Sequence, residues 1–585
     1  MLAHFPDEAF TMTNEWITKK NLLACAILAA TLGLTACSDD DDDDEPSNGN
    51  DDQVTQVSLE LEVAGTYNTG IFDGGAAEIV AYDAANKRLF VVNSADVTVD
   101  VLDANDPAMP SLLDTIDASA EGASANSVAV HEGLVAVAIE AVVKQDPGKV
   151  VFYNTTDLNK VGEVTVGALP DMLTFTPDGS KILVANEGEP SDDYANDPEG
   201  SVSIIDLTNG VASATVATAD FRAYDGKEAE LREQGIRIFG PGASASQDFE
   251  PEYIAVAPNG AKAWVTLQEN NAVAEVDLAT QSISAVLPLG YKDHSVTGNE
   301  LDPSNRDLNE IDDDGAIRIA NWPVLGMYQP DSIASYSVGG AAYYVTANEG
   351  DSRDYGGFSE EVRIKDLTLA AGAFDELPDL QEDHQLGRLN TSWTMGISNN
   401  CDPYSAGAGN YKDDALANCE FDTLYAYGTR SFSIWAEDGT LVYDSGSDFE
   451  TITAEQLPEF FNGNNDENSF DNRSDDKGPE PEGLALGKIN DQTFAFIGLE
   501  RVGGIVVYDI TDPQSPKFVQ YLNNRDFSVS QTDLEAGMAG DLGPEGLVFI
   551  PSDNSPTGQP LLAVGNEVSG TTTLYTINVS EVAVE

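Results

Sequence analysis

Basic side chains are scarce in this sequence, which has 28 Lys and Arg against 101 Asp and Glu among 585 residues and a formal net charge of −73. Binding a nucleic-acid backbone needs a basic face that releases counterions, so this charge balance predicts no nucleic-acid ligand. Divalent cations are the expected partners of so acidic a chain. Because 41% of the residues are hydrophobic, the acidity indicates surface charge on a folded protein rather than wholesale disorder.

Cysteine and histidine are also rare, with four residues of each kind. So few Cys in a long chain exclude a disulfide-dense scaffold, and the His positions offer no zinc-ligand spacing. The sequence contains no Gly-x-Ser-x-Gly elbow, no Walker loop and no dinucleotide fingerprint. These absences leave the acidic residues as the main candidates for chemistry.

Long hydrophobic runs are limited to residues 22–36, a run too short to span a bilayer comfortably. The run follows Lys19 and Lys20 and ends in Leu34-Thr35-Ala36-Cys37, which resembles a bacterial lipobox. We therefore predict a lipoprotein signal peptide over residues 1–36. The alternative is a short hydrophobic anchor helix.

Cleavage at this point would leave Cys37 as an acylated first residue, followed by a disordered acidic tether over residues 37–56. The protein is then expected to be an outer-membrane lipoprotein that faces the periplasm or the exterior and meets the membrane through its lipid only. In such an oxidising compartment we expect Cys401 and Cys419 to form a disulfide, the alternative being two free thiols.

A repeated all-β unit occupies residues 57–580. Each unit has an acidic or polar residue, an apolar strand, a turn and a second strand that ends in a polar residue, as in Pro170–Glu187. Four short strands per unit are typical of a β-propeller blade. We predict one propeller domain of seven or eight four-stranded blades, depending on whether the segment around Arg430 forms a blade of its own. A β-sandwich would not repeat the same acidic phrase.

The two ends of the repeat are expected to join. The last unit lacks a fourth strand, and Val57–Val63 alternates apolar and polar residues ahead of the first unit. We predict that this N-terminal strand completes the last blade, because an open seam would expose strand edges. The long insertions are expected to be polar loops. They cover residues 207–249, 290–329, 367–420 and 447–479.

Acidic residues recur where each first strand starts and where each second strand ends. These two positions meet at one mouth of the channel because consecutive strands are antiparallel, and twelve carboxylates would converge there. Like charges so close need a positive partner, which predicts binding of Ca²⁺ first and Mg²⁺ second. The alternative is that each carboxylate caps backbone amides or takes up a proton. The predicted ligands at the mouth are Glu78, Asp171, Glu187, Glu252, Asp331, Glu349, Asp351, Glu482, Glu500, Glu545 and Glu567.

Three loops add to the metal prediction. Asn186–Tyr194 and Asn348–Tyr355 are near copies, each with several acidic groups beside a strand end. The run Asp307–Gly315 alternates oxygen-bearing side chains before a Gly, as a calcium loop does, and adds Asp312 and Asp314 to the predicted ligands. It lacks the final Glu of an EF-hand loop, so we expect a looser site.

Three Arg residues fall at strand ends, namely Arg353, Arg430 and Arg501. Hydrolysis of a phosphate ester needs metal ions that activate water and guanidinium groups that neutralise developing charge. We therefore predict a catalytic, phosphate-binding role for these three residues. The alternative is that each forms a surface salt bridge to a neighbouring Glu.

Five phrases along the chain are distinctive, namely Leu289–Ser295, Gly326–Asp331, Thr346–Asp351, Arg430–Trp435 and Gly543–Gly546. Together they resemble the choice-of-anchor I family of bacterial secreted propellers over about residues 57–580. The resemblance implies a β-propeller ectodomain exported with varied anchors. Some relatives carry alkaline-phosphatase-like or phytase-like labels, but the resemblance implies no particular catalytic residue.

These observations lead to two main hypotheses. The first is a lipid-anchored, calcium-binding propeller that hydrolyses small phosphate esters with metal-bound water as the nucleophile. The second is a non-catalytic surface scaffold that calcium stabilises and whose loops bind a polysaccharide or a protein. A metal-dependent, lactonase-like hydrolase is a third hypothesis.

Overall fold

The structure is a computed structural model that describes residues 55–308, 315–401 and 411–583. Seven four-stranded antiparallel sheets form the blades of a propeller. The innermost strand of each blade packs against those of its two neighbours, and the last blade packs against the first, so the ring is closed. The predicted all-β propeller is confirmed, with seven blades.

We number the blades along the chain and give their strands from the channel outward. Blade 1 comprises β2 (Val80–Asp83), β3 (Arg88–Asn93), β4 (Thr98–Asp103) and β5 (Ser111–Asp117). Blade 2 comprises β6 (Ser124–His131), β7 (Leu134–Glu140), β8 (Pro147–Asn154) and β9 (Lys160–Ala168). Blade 3 comprises β10 (Pro170–Phe175), β11 (Lys181–Asn186), β12 (Ser201–Asp206) and β13 (Thr215–Asp220).

Blade 4 comprises β14 (Pro251–Val256), β15 (Lys262–Leu267), β16 (Ala272–Asp277) and β17 (Ser282–Pro288). Blade 5 comprises β20 (Ile333–Val338), β21 (Ala341–Asn348), β27 (Ser431–Ala436) and β28 (Leu441–Asp444). Blade 6 comprises β29 (Pro481–Ile489), β30 (Gln492–Leu499), β31 (Ile505–Asp509) and β32 (Lys517–Leu522). Blade 7 comprises β33 (Pro544–Ile550), β34 (Leu561–Asn566), β35 (Thr571–Ala583) and β1 (Thr55–Asn68).

The hydrophobic core lies between neighbouring blades. The middle strands of a blade are covered on both faces, and their sequences are continuous apolar runs for that reason. In β3, for example, Leu89, Phe90, Val91 and Val92 are all buried. These stacked sheets hold the channel-facing ends of the inner strands in place.

The N-terminal strand closes the ring, as predicted. β1 is the outermost strand of blade 7 and pairs with β35 in antiparallel register along its length. Val57, Leu59 and Leu61 are buried and the residues between them are exposed, which is the alternation of a strand with one covered face. The last blade therefore has no unpaired seam.

The segment around Arg430 does not form an eighth blade. It leads into β27, which pairs with β21 and is the third strand of blade 5. Residues 349–430 are thus an insertion between two adjacent strands of one blade. Of the two blade numbers expected from the sequence, eight is therefore excluded.

The prediction that the insertions are polar loops was wrong for residues 290–329 and 367–420. Apolar residues scattered along them gather into a separate core that includes Trp322, Trp393 and Phe421. This core carries a five-stranded sheet and a hairpin: β18 (Tyr291–Asp293), β19 (Leu325–Met327), β26 (Tyr425–Ala426), β25 (Asn390–Ser392) and β24 (Glu361–Arg363), with β22 (Asp354–Tyr355) and β23 (Phe358–Ser359).

The predicted disulfide between Cys401 and Cys419 is formed, with the two Cα atoms 5.2 Å apart. The helices of the described residues are short: α1 (Glu228–Glu233), α2 (Ala245–Asp248), α3 (Tyr411–Asn418), α4 (Asp448–Gln456) and α5 (Gln531–Glu535), with 3-10 turns at Ser94–Asp96, Val211–Ser213, Arg222–Tyr224 and Ile364–Asp366. Within the described ranges, no helix has the length and apolar character to cross a membrane.

Candidate functional site

A β-bulge places an acidic residue at the channel end of four inner strands. In β10 the pairing with β11 shifts between Pro170 and Leu173, so that Asp171 lies in the bulge. A bulge changes the direction of a side chain and is frequent beside functional sites. The acids at the same shift in blades 4, 6 and 7 are Glu252, Glu482 and Glu545. The repeated Pro-acid phrase of the sequence therefore forms a bulge that places a carboxylate at the channel end of the strand.

Six carboxylates from six blades converge on the channel. We call them the carboxylate ring, which consists of Glu78, Asp171, Glu252, Asp331, Glu482 and Glu545. Their charges interact across the channel: Glu545 of blade 7 is affected by Glu78 of blade 1, Asp331 of blade 5 and Asp171 of blade 3. Blade 2 has Asn126 at the equivalent position, in the bulge between Ala125 and Ser127.

Burial raises the pKa of every ring carboxyl group, and the charges of neighbouring acids raise it further. The pKa of Asp171 rises to about 7 and that of Asp331 to about 8. One carboxylate oxygen each of Glu252, Glu482 and Glu545 is buried, and no described residue donates a hydrogen bond to it. No ion pair between described residues involves a ring carboxylate. The ring is therefore an uncompensated group of half-buried acids.

The ends of the second strands bring further acids to the same mouth, as predicted. Burial and then the charge of Asp171 raise the pKa of Glu187 well above its usual range. Burial also raises the pKa of Glu567, with the charge of Glu349 adding to the effect. Partial burial, and then the charge of Glu349, raises the pKa of Asp351, whose side chain keeps 48% of its surface exposed.

On the blade 6 side of the mouth the acids have cations beside them. We call this group the compensated cluster, which consists of Glu349, Glu480, Glu500, Lys477, Arg473 and Arg501. The three Glu residues each place one carboxylate oxygen within 4.8 Å of the other two. Lys477 Nζ lies 2.6 Å from Glu349 Oε1 and 3.0 Å from Glu480 Oε2.

Although burial opposes ionisation of Glu480, the charges of Lys477, Arg473 and Arg501 lower its pKa to about 2. Burial raises the pKa of Glu500. The charge of Arg501 lowers this pKa, and the charge of Glu480 raises it. The cluster therefore carries its own counterions, but it does not neutralise every acid.

Arg353, the first of the three predicted phosphate ligands, is buried among acidic partners within the fold. Its Nη1 lies 2.7 Å from Asp248 Oδ1 and its Nη2 lies 2.9 Å from Glu250 Oε1. The guanidinium also lies over the ring of Phe239, 4.6 Å from its centroid. These contacts assign Arg353 to a structural ion pair rather than to phosphate binding.

Arg430 is likewise committed to contacts inside the protein. Its Nη1 donates to Glu450 Oε1 at 2.5 Å and to the carbonyl of Asp302 at 2.6 Å, and its Nη2 donates to the carbonyls of Ser474 and Asp476 at 2.8 Å. The predicted phosphate-binding role is corrected for this residue as well.

Arg501 is the predicted Arg that the structure places at the acidic mouth. Its side chain keeps 25% of its surface exposed and pairs with Glu480 and Glu500 at 3.1 Å each. It therefore remains the candidate among the three for contact with an anionic ligand.

The two near-copy acidic loops lie against each other. The rings of Tyr194 and Tyr355 meet edge to face at 5.5 Å, and Asp192 Oδ1 accepts a hydrogen bond from the Gly356 amide at 2.8 Å. Asp312 and Asp314 of the calcium-like run, and Cys37, lie outside the described residues.

Sequence reasoning missed Glu480, Lys477 and Tyr253. Glu480 and Lys477 directly precede the Pro-Glu phrase of blade 6, and no other blade has a Lys at that spacing, which was the available signal. Tyr253 follows Glu252, and burial followed by the charges of Asp331 and Glu545 raises the pKa of its phenol. These neighbouring charges show that the phenol of Tyr253 lies among the carboxylates of the carboxylate ring.

A cavity of about 600 Å³ adjoins the mouth and was not expected from the sequence. It is lined by Arg237, Phe239, Tyr291, Thr394 and others. Arg237 Nη1 donates to the carbonyl of Glu269 at 2.5 Å, which joins the cavity wall to the mouth of the channel.

Two known proteins are similar to parts of this chain. Gigasin-3a of Magallana gigas is 32% identical over 209 residues, which are 34% of this chain and 67% of gigasin-3a. The mesenchyme-specific cell surface glycoprotein of Strongylocentrotus purpuratus is 27% identical over 268 residues, which are 39% of this chain but only 31% of that protein.

Among solved structures, the hydrazine synthase of Kuenenia stuttgartiensis aligns with a TM-score of 0.40 at 12% identity, over 88% of this chain and 99% of the other. The β-propeller domain of Myceliophteria thermophila Cps50 aligns with a TM-score of 0.39 at 9% identity, over 89% and 100%. Similarity this low carries no functional argument. The family model of the Choice-of-anchor I domain, by contrast, matches residues 78–513. This chain therefore belongs to the choice-of-anchor I family and is a surface β-propeller.

Proposed function

We propose that this protein is an extracytoplasmic lipoprotein, anchored through Cys37, whose propeller binds Ca²⁺ at its carboxylate ring. The observation that carries the proposal is the uncompensated ring, in which six half-buried acids have raised pKa values and Glu252, Glu482 and Glu545 each keep one buried oxygen to which no described residue donates a hydrogen bond. Buried polar oxygens are normally satisfied, so their arrangement favours an external cation.

Calcium fits this donor set better than magnesium does. Ca²⁺ accepts six to eight oxygen ligands in flexible geometry, whereas Mg²⁺ demands a compact octahedron and keeps several waters. The ring carboxylates come from separate blades, so their spacing is fixed by the propeller and not by one local loop. Among the described residues, no three ring carboxylates place oxygens within 4.8 Å of one another, so Ca²⁺ bound at the ring would take part of its coordination from water.

Hydrolysis of small phosphate esters is the second candidate function, and the position of Arg501 favours it. This partly exposed guanidinium pairs with Glu480 and Glu500 beside the ring, where a metal-bound water would be the nucleophile. Arg501 would then neutralise charge on the phosphate. Arg353 and Arg430 are not part of this proposal because their donors are used within the fold.

A chelator experiment tests both candidates. A soluble form that begins at Asp52 retains every described strand, including β1. After chelation, the melting temperature and the hydrolysis of p-nitrophenyl phosphate are measured with and without added Ca²⁺. We expect Ca²⁺ to raise the melting temperature, and to raise it less in Glu545→Gln than in the exposed control Glu60→Gln.

The outcomes separate the candidates. Turnover that Ca²⁺ restores and Arg501→Met abolishes would support the phosphoesterase. A raised melting temperature without turnover would support a calcium-stabilised surface scaffold that binds a polysaccharide or a protein. If Ca²⁺ changes neither quantity, the ring is not a calcium site and the proposal fails.

A further inference from the structure

A separate group of acids lies outside the blade strands, where the insertion after β18 meets the loop before blade 6. Asp302, Asp307 and Asp471 each place one carboxylate oxygen within 4.8 Å of the other two. They come from distant parts of the chain, so the fold itself brings them together. Asp307 opens the calcium-like run of the sequence, and the other two were not expected to join it.

Burial makes this group unusual. Asp302 and Asp471 have no exposed surface, and no described Lys or Arg forms an ion pair with either of them. Asp471 Oδ1 accepts a hydrogen bond from Ser474 Oγ at 2.5 Å, but no N–H or hydroxyl group of the described residues donates to its Oδ2. A buried carboxylate oxygen without a partner is costly, which indicates that a positively charged ligand belongs beside it.

The backbone also leaves space at this oxygen. A Cβ atom on Gly315 would lie 2.1 Å from Asp471 Oδ2 and 3.2 Å from the carbonyl oxygen of Asn305. The Gly315 backbone has a φ of +81°, a conformation that favours glycine. Only a residue without a side chain therefore lets these oxygens face a common space.

We propose that Asp302, Asp307 and Asp471 bind a Ca²⁺ ion that joins the insertion to the loop before blade 6. Three carboxylates supply hard oxygen ligands, the Asn305 carbonyl lies close enough to add another, and water completes the coordination. This site is independent of the carboxylate ring, because none of its ligands belongs to the ring.

Existing contacts hold the site in position before an ion binds. Arg430 donates to the carbonyls of Asp302 and Ser474, so it links the same two segments that the ion would join. Asp302 also accepts a 3.4 Å hydrogen bond from the Ser304 amide. Ligands fixed in this way lose little conformational freedom when calcium binds.

Terbium luminescence tests the site directly. Tb³⁺ replaces Ca²⁺ at oxygen sites and emits when a nearby Trp transfers energy to it. Trp322 Nε1 donates to the carbonyl of Leu301 at 3.1 Å, directly beside Asp302. In the full-length protein in detergent, we expect Trp-excited emission that Ca²⁺ competes away and that Trp322→Phe removes without changing the calcium stoichiometry.

Two substitutions then address the ligands. Asp471→Asn removes the charge but preserves the shape, and it should lower the emission at least tenfold and reduce the bound calcium by one ion. Asp466→Asn, in an exposed part of the same loop, should change neither. Gly315→Ala alters no ligand and serves as a second variant, which should weaken Tb³⁺ binding at least tenfold by crowding Asp471.

The result of the Tb³⁺ experiment can be distinguished from calcium binding at the carboxylate ring. Glu545→Gln should leave the Trp-excited emission unchanged, even where it removes the calcium bound at the channel. Emission and stoichiometry that remain at the parent level in both Asp471→Asn and Gly315→Ala would overturn the proposal. Near-ultraviolet circular dichroism confirms that each variant compared is folded.

Discussion

The carboxylate ring and the compensated cluster are two groups of buried or half-buried acids at one channel mouth that differ in their electrostatics. In the cluster, Lys477, Arg473 and Arg501 lower the pKa of Glu480 to about 2. In the ring, burial and mutual repulsion raise the pKa of Asp331 to about 8. A carboxyl group is therefore held ionised at Glu480 and driven towards protonation at Asp331, while Glu500 of the cluster shares the raised pKa of the ring.

The difference shows what buried carboxylates require. Burial alone disfavours the charged form, and a neighbouring cation reverses that preference when it lies within ion-pair distance. The cluster finds its cations within the chain. The ring has no such partner among the described residues, so protons or metal ions must supply the positive charge.

The largest expected effect is a loss of stability with rising pH in the calcium-free protein. The folded pKa of Asp171 is about 7 and that of Asp331 about 8, both above the unfolded value near 4. Between the unfolded and the folded pKa of each group, the folded state binds more protons than the unfolded state does. The free energy of unfolding therefore falls as pH rises, by about 1.4 kcal/mol per pH unit for each extra proton.

Urea unfolding in chelator from pH 5 to 8.5 measures this slope. Asp331→Asn should make it shallower, whereas the exposed control Asp438→Asn should not change it. A free energy of unfolding that is constant or rises over this range would show that the ring is compensated within the protein.

Neutralising one acid in each group should change stability in opposite directions. Glu480→Gln leaves Lys477, Arg473 and Arg501 facing a neutral amide, and breaking a buried pair in this way costs about 3–5 kcal/mol. Glu545→Gln should instead stabilise the calcium-free protein at pH 8, because it removes one charge from a repulsive group. Urea midpoints in chelator decide the sign, and equal destabilisation by both would remove the distinction between the groups.

Calcium should remove the pH dependence of the ring. An ion at 100 times its Kd adds about 2.7 kcal/mol to the free energy of unfolding when it binds the folded state only. The gain should be smaller at pH 6 than at pH 8, since protons compete for the same oxygens. Thermal unfolding at both pH values tests this, with Glu545→Gln as the variant that loses most of the gain and Glu60→Gln as the control.

The repeat makes the propeller and its acidic mouth predictable from sequence. Strand periodicity and the recurring Pro-acid phrase are enough to locate ring residues such as Asp171 and Glu545. The β1 closure follows from the unpaired edge of the last blade. These features are local or periodic, and a single sequence carries both kinds of information.

The contacts of the insertions are not predictable in the same way. The partners of Arg353 and Arg430, namely Asp248, Glu250 and Glu450, come from segments that no repeat aligns with the mouth. The core around Trp393 is built from apolar residues spread too widely to show a period. Pairing of this kind depends on how irregular segments pack in three dimensions, which no local pattern encodes.

The smallest expected effect separates Arg501 from the other two Arg residues. Arg501→Met should cost about 1 kcal/mol or less, because the side chain is 25% exposed and Glu480 keeps Lys477 and Arg473 as partners. Arg353→Met should cost about 3–5 kcal/mol, because it leaves Asp248 and Glu250 buried without their cation. Urea midpoints at pH 7 compare the two. Comparable losses would place Arg501 among the structural ion pairs, whereas a small loss makes Arg501→Met the variant in which lost phosphate binding or turnover is not explained by unfolding.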